Sequence, residues 1–365
     1  MNTVDVDVAV IGGGQAGLAM GYQLARRGRH AVILDAHRRV GDSWRERWDS
    51  LVLFTEARFA GLPGMPFPGP PRAHPTKDQV ADYLADYAER FRLPVRAGVR
   101  VDRVLRHRVA YEVRFGPDRL LARAVVLATG AYQRPVVPAL AGRLGSTLVQ
   151  LHSSRYRGPE QLPSGPVLVV GAGNSGSEIA LELARTGRPT TLAGPDTGAL
   201  PTRLLGRTYW RLVHDVLTLD RAVGRRVLSR FRTGGSPLIR TTAAMLRDAG
   251  VERVGRITDV QGGRLVPDDR GPLEVASVVW CTGFRPDFGL LDIPVPFAHG
   301  YPWHERGVVS GQPGLYLLGT PILFALTSSF LGGVGRDAAH LADRIAQRPA
   351  GDSGAAFGTA GHRMR

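Results

Sequence analysis

An apolar run at Val6–Ile11 meets a glycine turn, and residues 15–27 follow with apolar positions at helical spacing. A second uninterrupted apolar run closes at Ala31–Leu34. Strand, turn, helix and strand in that order predict a parallel, doubly wound sheet. The Pro-rich stretch LPGMPFPGPPRAHPT predicts loop, and KDQVADYLADYAERF predicts a helix with Val80, Leu84, Tyr87 and Phe91 on its inner face. The short alternating runs VRVDRVLR and AYEVRF predict a meander, and AVVLATG a strand that ends at Gly130.

The pattern then repeats. An apolar run beginning at Val167 enters a second glycine turn and a second helical stretch, and ASVVWCTG ends at Gly283. Both "strand, then T-G" endings fall roughly 110 residues after a glycine turn, which marks an internal duplication of architecture. The expectation is an α/β fold of two Rossmann-type dinucleotide-binding lobes. An arginine-rich stretch from about 196 to 249 reads as mostly helical. Residues 314–335 carry no charge and are long enough to raise a membrane question. Pro321, Thr327-Ser328-Ser329 and Gly332-Gly333 instead predict a buried strand, a loop and the start of a helix.

Composition narrows the chemistry. At 365 residues with 43% apolar content, the chain can build two ordinary cores. Cys281 is the only cysteine, so a disulfide framework, a thiolate cluster or a C-x-x-C pair within one chain is excluded. A reducing, cytoplasmic compartment is expected. The formal charge of +15 does not point to nucleic acid, because Lys77 is the only lysine and the arginines are scattered without interleaved aromatics. The N-terminus lacks the basic start of a signal peptide. The ten histidines show no ligand spacing, so no metal is expected, and neither a Walker loop nor a nucleophile elbow is present.

The two turns carry the candidate chemistry. In Gly12-Gly13-Gly14-Gln15-Ala16-Gly17, glycines let the backbone approach a pyrophosphate at a helix N-terminus. Asp35, followed by Ala36, ends the next strand, where a carboxylate can accept from a ribose diol. Gly171-Ala172-Gly173-Asn174-Ser175-Gly176 repeats the turn, but its next strand ends at Gly194-Pro195 without an acid. An acid there would repel a 2′-phosphate, so its absence leans toward NADPH over NADH; Arg203 and Arg207 are the nearest phosphate partners in sequence.

With both turns placed, the chain resembles the class B flavin-dependent monooxygenases, the flavin-containing monooxygenase and YUCCA-like enzymes with Baeyer–Villiger and N-hydroxylating relatives. The resemblance is carried by the two turns, GDSWRERWDSLVLFT, PTKDQVADYLADYAERF, LATG at 127–130, LHSSRY at 151–156, WCTGFRPD at 280–287 and GVGRDAAH. It implies FAD on the first turn, with Trp44, Arg45, Thr55, Val101, Ala128, Thr129, Gly130 and Ser328 around it. It implies NADPH on the second, with Cys281, Thr282, Gly283 and Phe284 on the nicotinamide side. The family's fold further implies an FAD domain built from residues 1–160 and 280–365, with the NADPH domain, residues 161–279, inserted in it. NADPH would reduce the flavin, a C4a-(hydro)peroxyflavin would form with molecular oxygen, and one oxygen atom would pass to nitrogen or sulfur of a small molecule. Oxygenation of a ketone, a non-oxygenating flavin oxidoreductase and a redox-sensing binding protein are the rival readings.

His152 and Tyr156 match the fingerprint F-x-G-x-x-x-H-x-x-x-Y/F, but Ser146 and Leu148 replace its Phe and Gly. Thr55 and Glu56 are the candidate catalytic residues beside the flavin that the resemblance implies, and Glu56 stands where relatives often have Asn. Its carboxylate either pairs with a cationic amine or acts as a general base, or it faces solvent as a loop residue. No membrane partner is expected, and the oligomeric state stays open, a homodimer included.

Overall fold

The computed structural model describes residues 3–199, 208, 210–233 and 237–348. Strand β1 (Thr3–Ile11) lies between β2 (Ala31–Asp35) and β6 (Asp118–Leu127), parallel to both, and β3 (Val95–Ala97) extends the sheet beyond β2. β4 (Arg103–His107) and β5 (Ala110–Phe115) fold back antiparallel from β6, giving the expected meander. Leu315–Leu317 then returns from far down the chain to lie parallel to β6. Both ends of the described chain therefore build one sheet. β2 is buried at every position because helices cover both faces, which is why it reads as a continuous apolar run.

The second sheet is wholly parallel. Its strands are β8 (Val149–His152), β9 (Val167–Val170), β10 (Thr190–Ala193), β11 (Glu252–Val254) and β14 (Ser277–Trp280), in the spatial order β11-β10-β9-β14-β8. β12 (Ile257–Gln261) and β13 (Arg264–Pro267) form a separate hairpin. Two Rossmann-type lobes result, as the repeated pattern predicts. The second sheet opens at residue 149, ahead of the expected boundary at 160, because β8 pairs with β14 rather than with the first sheet.

The chain crosses between the lobes twice, and the crossings are fastened together. β7 (Arg134–Pro135) pairs antiparallel with β15 (Phe284–Arg285), Thr282 Oγ1 donates to Val136 O, and Arg134 Nε lies 2.6 Å from Asp287 Oδ2.

Helices follow both glycine turns: α1 (Gln15–Ala25) after β1 and α4 (Asn174–Arg185) after β9. Between them lie the short α2 (Asp42–Arg45) and α3 (Lys77–Arg90). α3 opens with a capping box: Gln79 N donates to Thr76 Oγ1 at 3.2 Å and Thr76 N to Gln79 Oε1 at 3.0 Å. It buries Val80, Leu84 and Tyr87, with Phe91 partly buried beyond its end. In the uncharged 314–335 segment, the Leu331–Ala346 helix starts where glycines admit other backbone. A side chain at Gly332 would collide with Phe59 O, one at Gly333 with Thr327 O, and one at Gly335 with the Pro63 ring. Among the described residues, no helix is long and apolar enough to cross a membrane.

Candidate active site

The two turns superimpose in their logic residue for residue. Gly12 has φ +107° and Gly171 has φ +109°, values that favour glycine. A Cβ on Gly12 would meet Ala128 O, and one on Gly171 would meet Cys281 O. Each turn is thus pressed against the end of the strand that closes its sheet, Ala128-Thr129-Gly130 in one lobe and Cys281-Thr282-Gly283 in the other. The third glycines, Gly17 and Gly176, carry no side chain because the carbonyls of Gly12 and Gly171 occupy that space. Gly14 and Gly173, the helix N-caps, face open space within 4 Å. That open face, beside unsatisfied N–H groups of the first helical turn, is where a pyrophosphate fits.

The first turn suits FAD on further grounds. Asp35 is buried at the end of β2, and its Oδ1 accepts from His37 N at 3.1 Å and His37 Nδ1 at 2.9 Å. That bond is the main reason the His37 pKa is raised. Oδ2 accepts no hydrogen bond from His37 and lies against Gly13, where a Cβ would crowd it. Ala36 is exposed beside it. Thr129 Oγ1 is buried without a hydrogen-bond partner, a polar atom that a bound cofactor would satisfy.

Other expected FAD residues play different parts. Gln15 accepts from Trp44 Nε1 and donates to Ser329 O, both at 3.3 Å, and so ties two loops to the turn. Arg45 is committed to Asp82 at 2.8 Å and to Asp42 at 3.2 Å, bracing α2 against α3. Ser328 is fully buried and its Oγ accepts from the N–H groups of Phe324 and Ala325, both at 3.0 Å, which shapes the loop ahead of the last helix. Val101 packs half-buried against the first lobe's core. Ala16 also lies in that core.

At the second turn, Asn174 stands where Gln15 stands in the first, and it too clamps a distant loop. Its Nδ2 donates to Pro237 O at 3.1 Å and its Oδ1 accepts from Ile239 N at 2.9 Å. Ser175 lies beside it, half-buried. Arg203 and Arg207 lie outside the described residues. Another cation stands at the end of β10: Arg253, on neighbouring β11, donates from Nη2 to Gly194 O at 2.8 Å. Sequence reasoning missed it because parallel pairing, not chain proximity, brings it there.

His152 locks the second crossing. Its Nε2 is 3.1 Å from Gly283 O, so Nε2 carries the proton, and Nδ1 accepts from Ser154 N at 3.1 Å. Burial lowers its pKa, and the ring stays neutral in this arrangement. Phe284 packs edge-on against His152 and Tyr132. Cys281 is half-buried, and burial pushes its thiol up to about 12, which makes it a packing group rather than a nucleophile.

Between the lobes lies a cavity of about 570 Å³. Aromatic rings of Trp48, Phe54, Phe59, Trp210 and Phe330 line it, together with Thr55, Glu56 and one side of α4. Its acids are engaged. Glu56 pairs with Arg58 at 2.5 Å, Glu182 accepts from Tyr156 at 2.8 Å, and Glu178 lies 3.6 Å from Arg240. Glu56 is thus half-buried and paired on the cavity wall, and Thr55 lines the same wall. Burial pushes Glu178 up to about 7, against the pull of Arg240. Glu178 and Arg240 have no signature in the sequence, since helix α4 and the 237–241 loop meet only in the fold. Among the described residues no group of side chains could hold a metal ion.

Comparison with known proteins agrees with this geometry. A family model described as pyridine nucleotide-disulphide oxidoreductase matches residues 9–203. The CzcO-like oxidoreductase of Geobacillus kaustophilus, named as uncharacterized, is 37% identical over 93% of this chain and 98% of its own. Indole-3-pyruvate monooxygenase YUCCA1 of Oryza sativa is 36% identical over 63% of this chain and 57% of its own. The solved flavin-containing monooxygenase from Stenotrophomonas maltophilia covers 94% of this chain with 98% of its own, at 30% identity and a TM-score of 0.78. This chain belongs to the class B flavin-dependent monooxygenase family. It is an NADPH-dependent flavin oxidoreductase, its cofactors are FAD and NADPH, and its chemistry is flavin-dependent oxygenation. The single cysteine separates it from the dithiol chemistry in the matched family's description.

Proposed function

We propose that this monooxygenase transfers one oxygen atom from O₂ to nitrogen or sulfur of a small organic substrate held in the cavity between the lobes. The observation that carries the reading is the cavity itself, which is walled by the rings of Trp48, Phe54, Phe59, Trp210 and Phe330 and is large enough for a small organic molecule. An electron-rich nitrogen or sulfur can accept an oxygen atom without a protein base to deprotonate it, so such a substrate asks of the cavity walls only shape and exclusion of water. Bound FAD would supply the redox chemistry and the activation of oxygen.

The chain's own groups bind, orient and exclude water. The open faces at Gly14 and Gly173 receive the two pyrophosphates, Asp35 Oδ2 a ribose hydroxyl, and Arg253 the 2′-phosphate of NADPH. Asn174 holds the 237–239 backbone across the second turn, which carries Arg240 and Thr241 into the cavity wall. The aromatic walls keep water from the reacting centre. In the same reading the sheet spanning residues 149–280 is the NADPH domain, and the remainder folds around FAD.

A panel of amines and methyl aryl sulfides, assayed for NADPH oxidation under ¹⁸O₂ with mass detection, tests the proposal. A product gaining one labelled oxygen is the expected result. Product formation that persists in strictly anaerobic solution would overturn it.

A further inference from the structure

We infer that the stacked pair Phe59–Trp210 is a partition that sets how long a substrate the cavity accepts, confining it to compact aromatic nucleophiles. The inference rests on the cavity being the substrate site, as proposed above. Beside the cavity of about 570 Å³ lies a second space of about 250 Å³, walled by Ala57, Gly61, Leu62, Pro66 and Phe67 of the loop preceding α3. Two residues, Phe59 and Trp210, line both spaces. Their rings stack at 5.0 Å between centroids and 16° between planes, so the pair stands as a single aromatic panel.

The panel is held from several sides. Trp210 stacks on the His214 ring at 5.9 Å and lies 6.3 Å from the Phe330 ring. His214 is fixed in turn by Thr327 Oγ1, 2.9 Å from its Nδ1, and by Arg336, which donates to His214 O at 2.5 Å. The Arg58 guanidinium sits 4.9 Å over the Phe59 ring while pairing with Glu56. Gly332 lacks the side chain that would strike Phe59 O and crowd the Trp210 indole, so the panel seats against the start of the last helix. A ring so confined does not swing aside without breaking several contacts. Removing it joins the two spaces.

The test uses the FAD-loaded enzyme and a series of methyl phenyl sulfides bearing para-alkyl chains of increasing length. Binding is followed by perturbation of the flavin absorption spectrum, and oxygenation by product mass. The expected result is a wild-type preference for the shortest member. Trp210→Ala should raise the long-to-short ratio of binding constants by about tenfold, one methylene-sized difference per step being worth several-fold. Trp210→Phe retains a stacked ring and should leave the ratio near wild type, and Phe59→Ala provides a second route to the open partition should Trp210→Ala misfold. An unchanged ratio in a folded, flavin-loaded Trp210→Ala or Phe59→Ala variant overturns the partition. If no member binds the wild type, the cavity is not the substrate site and the inference fails with that reading. If the ratio shifts but no product gains oxygen, the partition stands and the oxygenation reading falls alone.

Discussion

A methyl group added at Gly17 would collide with Gly12 O, and one at Gly176 with Gly171 O, yet the two collisions lie in different lobes. Gly17→Ala should therefore abolish retention of FAD, read as loss of visible absorbance after purification. Gly176→Ala should keep FAD and raise the KM for NADPH at least tenfold, a loss of about 1.4 kcal/mol or more. Arg253 gives a finer test. Arg253→Ala should weaken NADPH while leaving NADH unchanged, shifting the ratio of their kcat/KM values by about ten- to a hundredfold, the worth of a charge-assisted bond to phosphate. Glu178 adds a pH signature. Its folded pKa, about 7, lies above its ordinary 4.5, so the folded state holds the proton more tightly. Its contribution to stability is full below about pH 4.5 and is lost as pH rises through 7. Relative to wild type, Glu178→Gln should gain about 2 kcal/mol between pH 5 and pH 8 in urea unfolding. The glycines and Asp35 were legible in the sequence because local geometry alone demands them. Arg253, Glu178, Arg240 and Trp210 were not, because each becomes a site residue only when another element is packed against it.

The same division separates elements that can be read from those that cannot. β1, α1, β2, α3, β9 and α4 declare themselves through apolar period, capping and turn residues, since their burial pattern repeats along the chain. β8 does not: VQLH is short and half-buried, and only its pairing with β14 makes it a strand of the second sheet. The 314–335 segment resolved as expected, and its glycines mark contact rather than flexibility. Gly333→Ala would drive a methyl group into Thr327 O at the start of the last helix. A loss of about 2–3 kcal/mol is expected, visible as a lowered Tm, because the backbone on both sides must shift. Thr327 also holds His214, so the same variant should loosen the cavity wall.

Across the whole molecule, redox chemistry and protein thiols are kept apart. Cys281 is the only cysteine, and its desolvated thiol sits behind the second glycine turn. Treatment of the folded enzyme with iodoacetamide should leave both mass and NADPH oxidation unchanged, and modification should appear only after denaturation. The arginine-rich surface that gives a charge of +15 is met by many acids, Asp343, Asp7, Asp259 and Glu274 among them, and forms no basic stripe among these pairs.

The paired crossings between the lobes bear on how such a molecule can move. Two segments of the chain running side by side, stitched by β7 with β15, by Thr282 with Val136 and by Arg134 with Asp287, would act as a door hinge rather than a tether. A single strand would let one lobe spin relative to the other; a stitched ribbon bends readily about one axis and resists torsion. Opening to admit NADPH and closing over a substrate would then retrace one arc. A protease cut in one strand of the ribbon would leave the other still aligning the two halves.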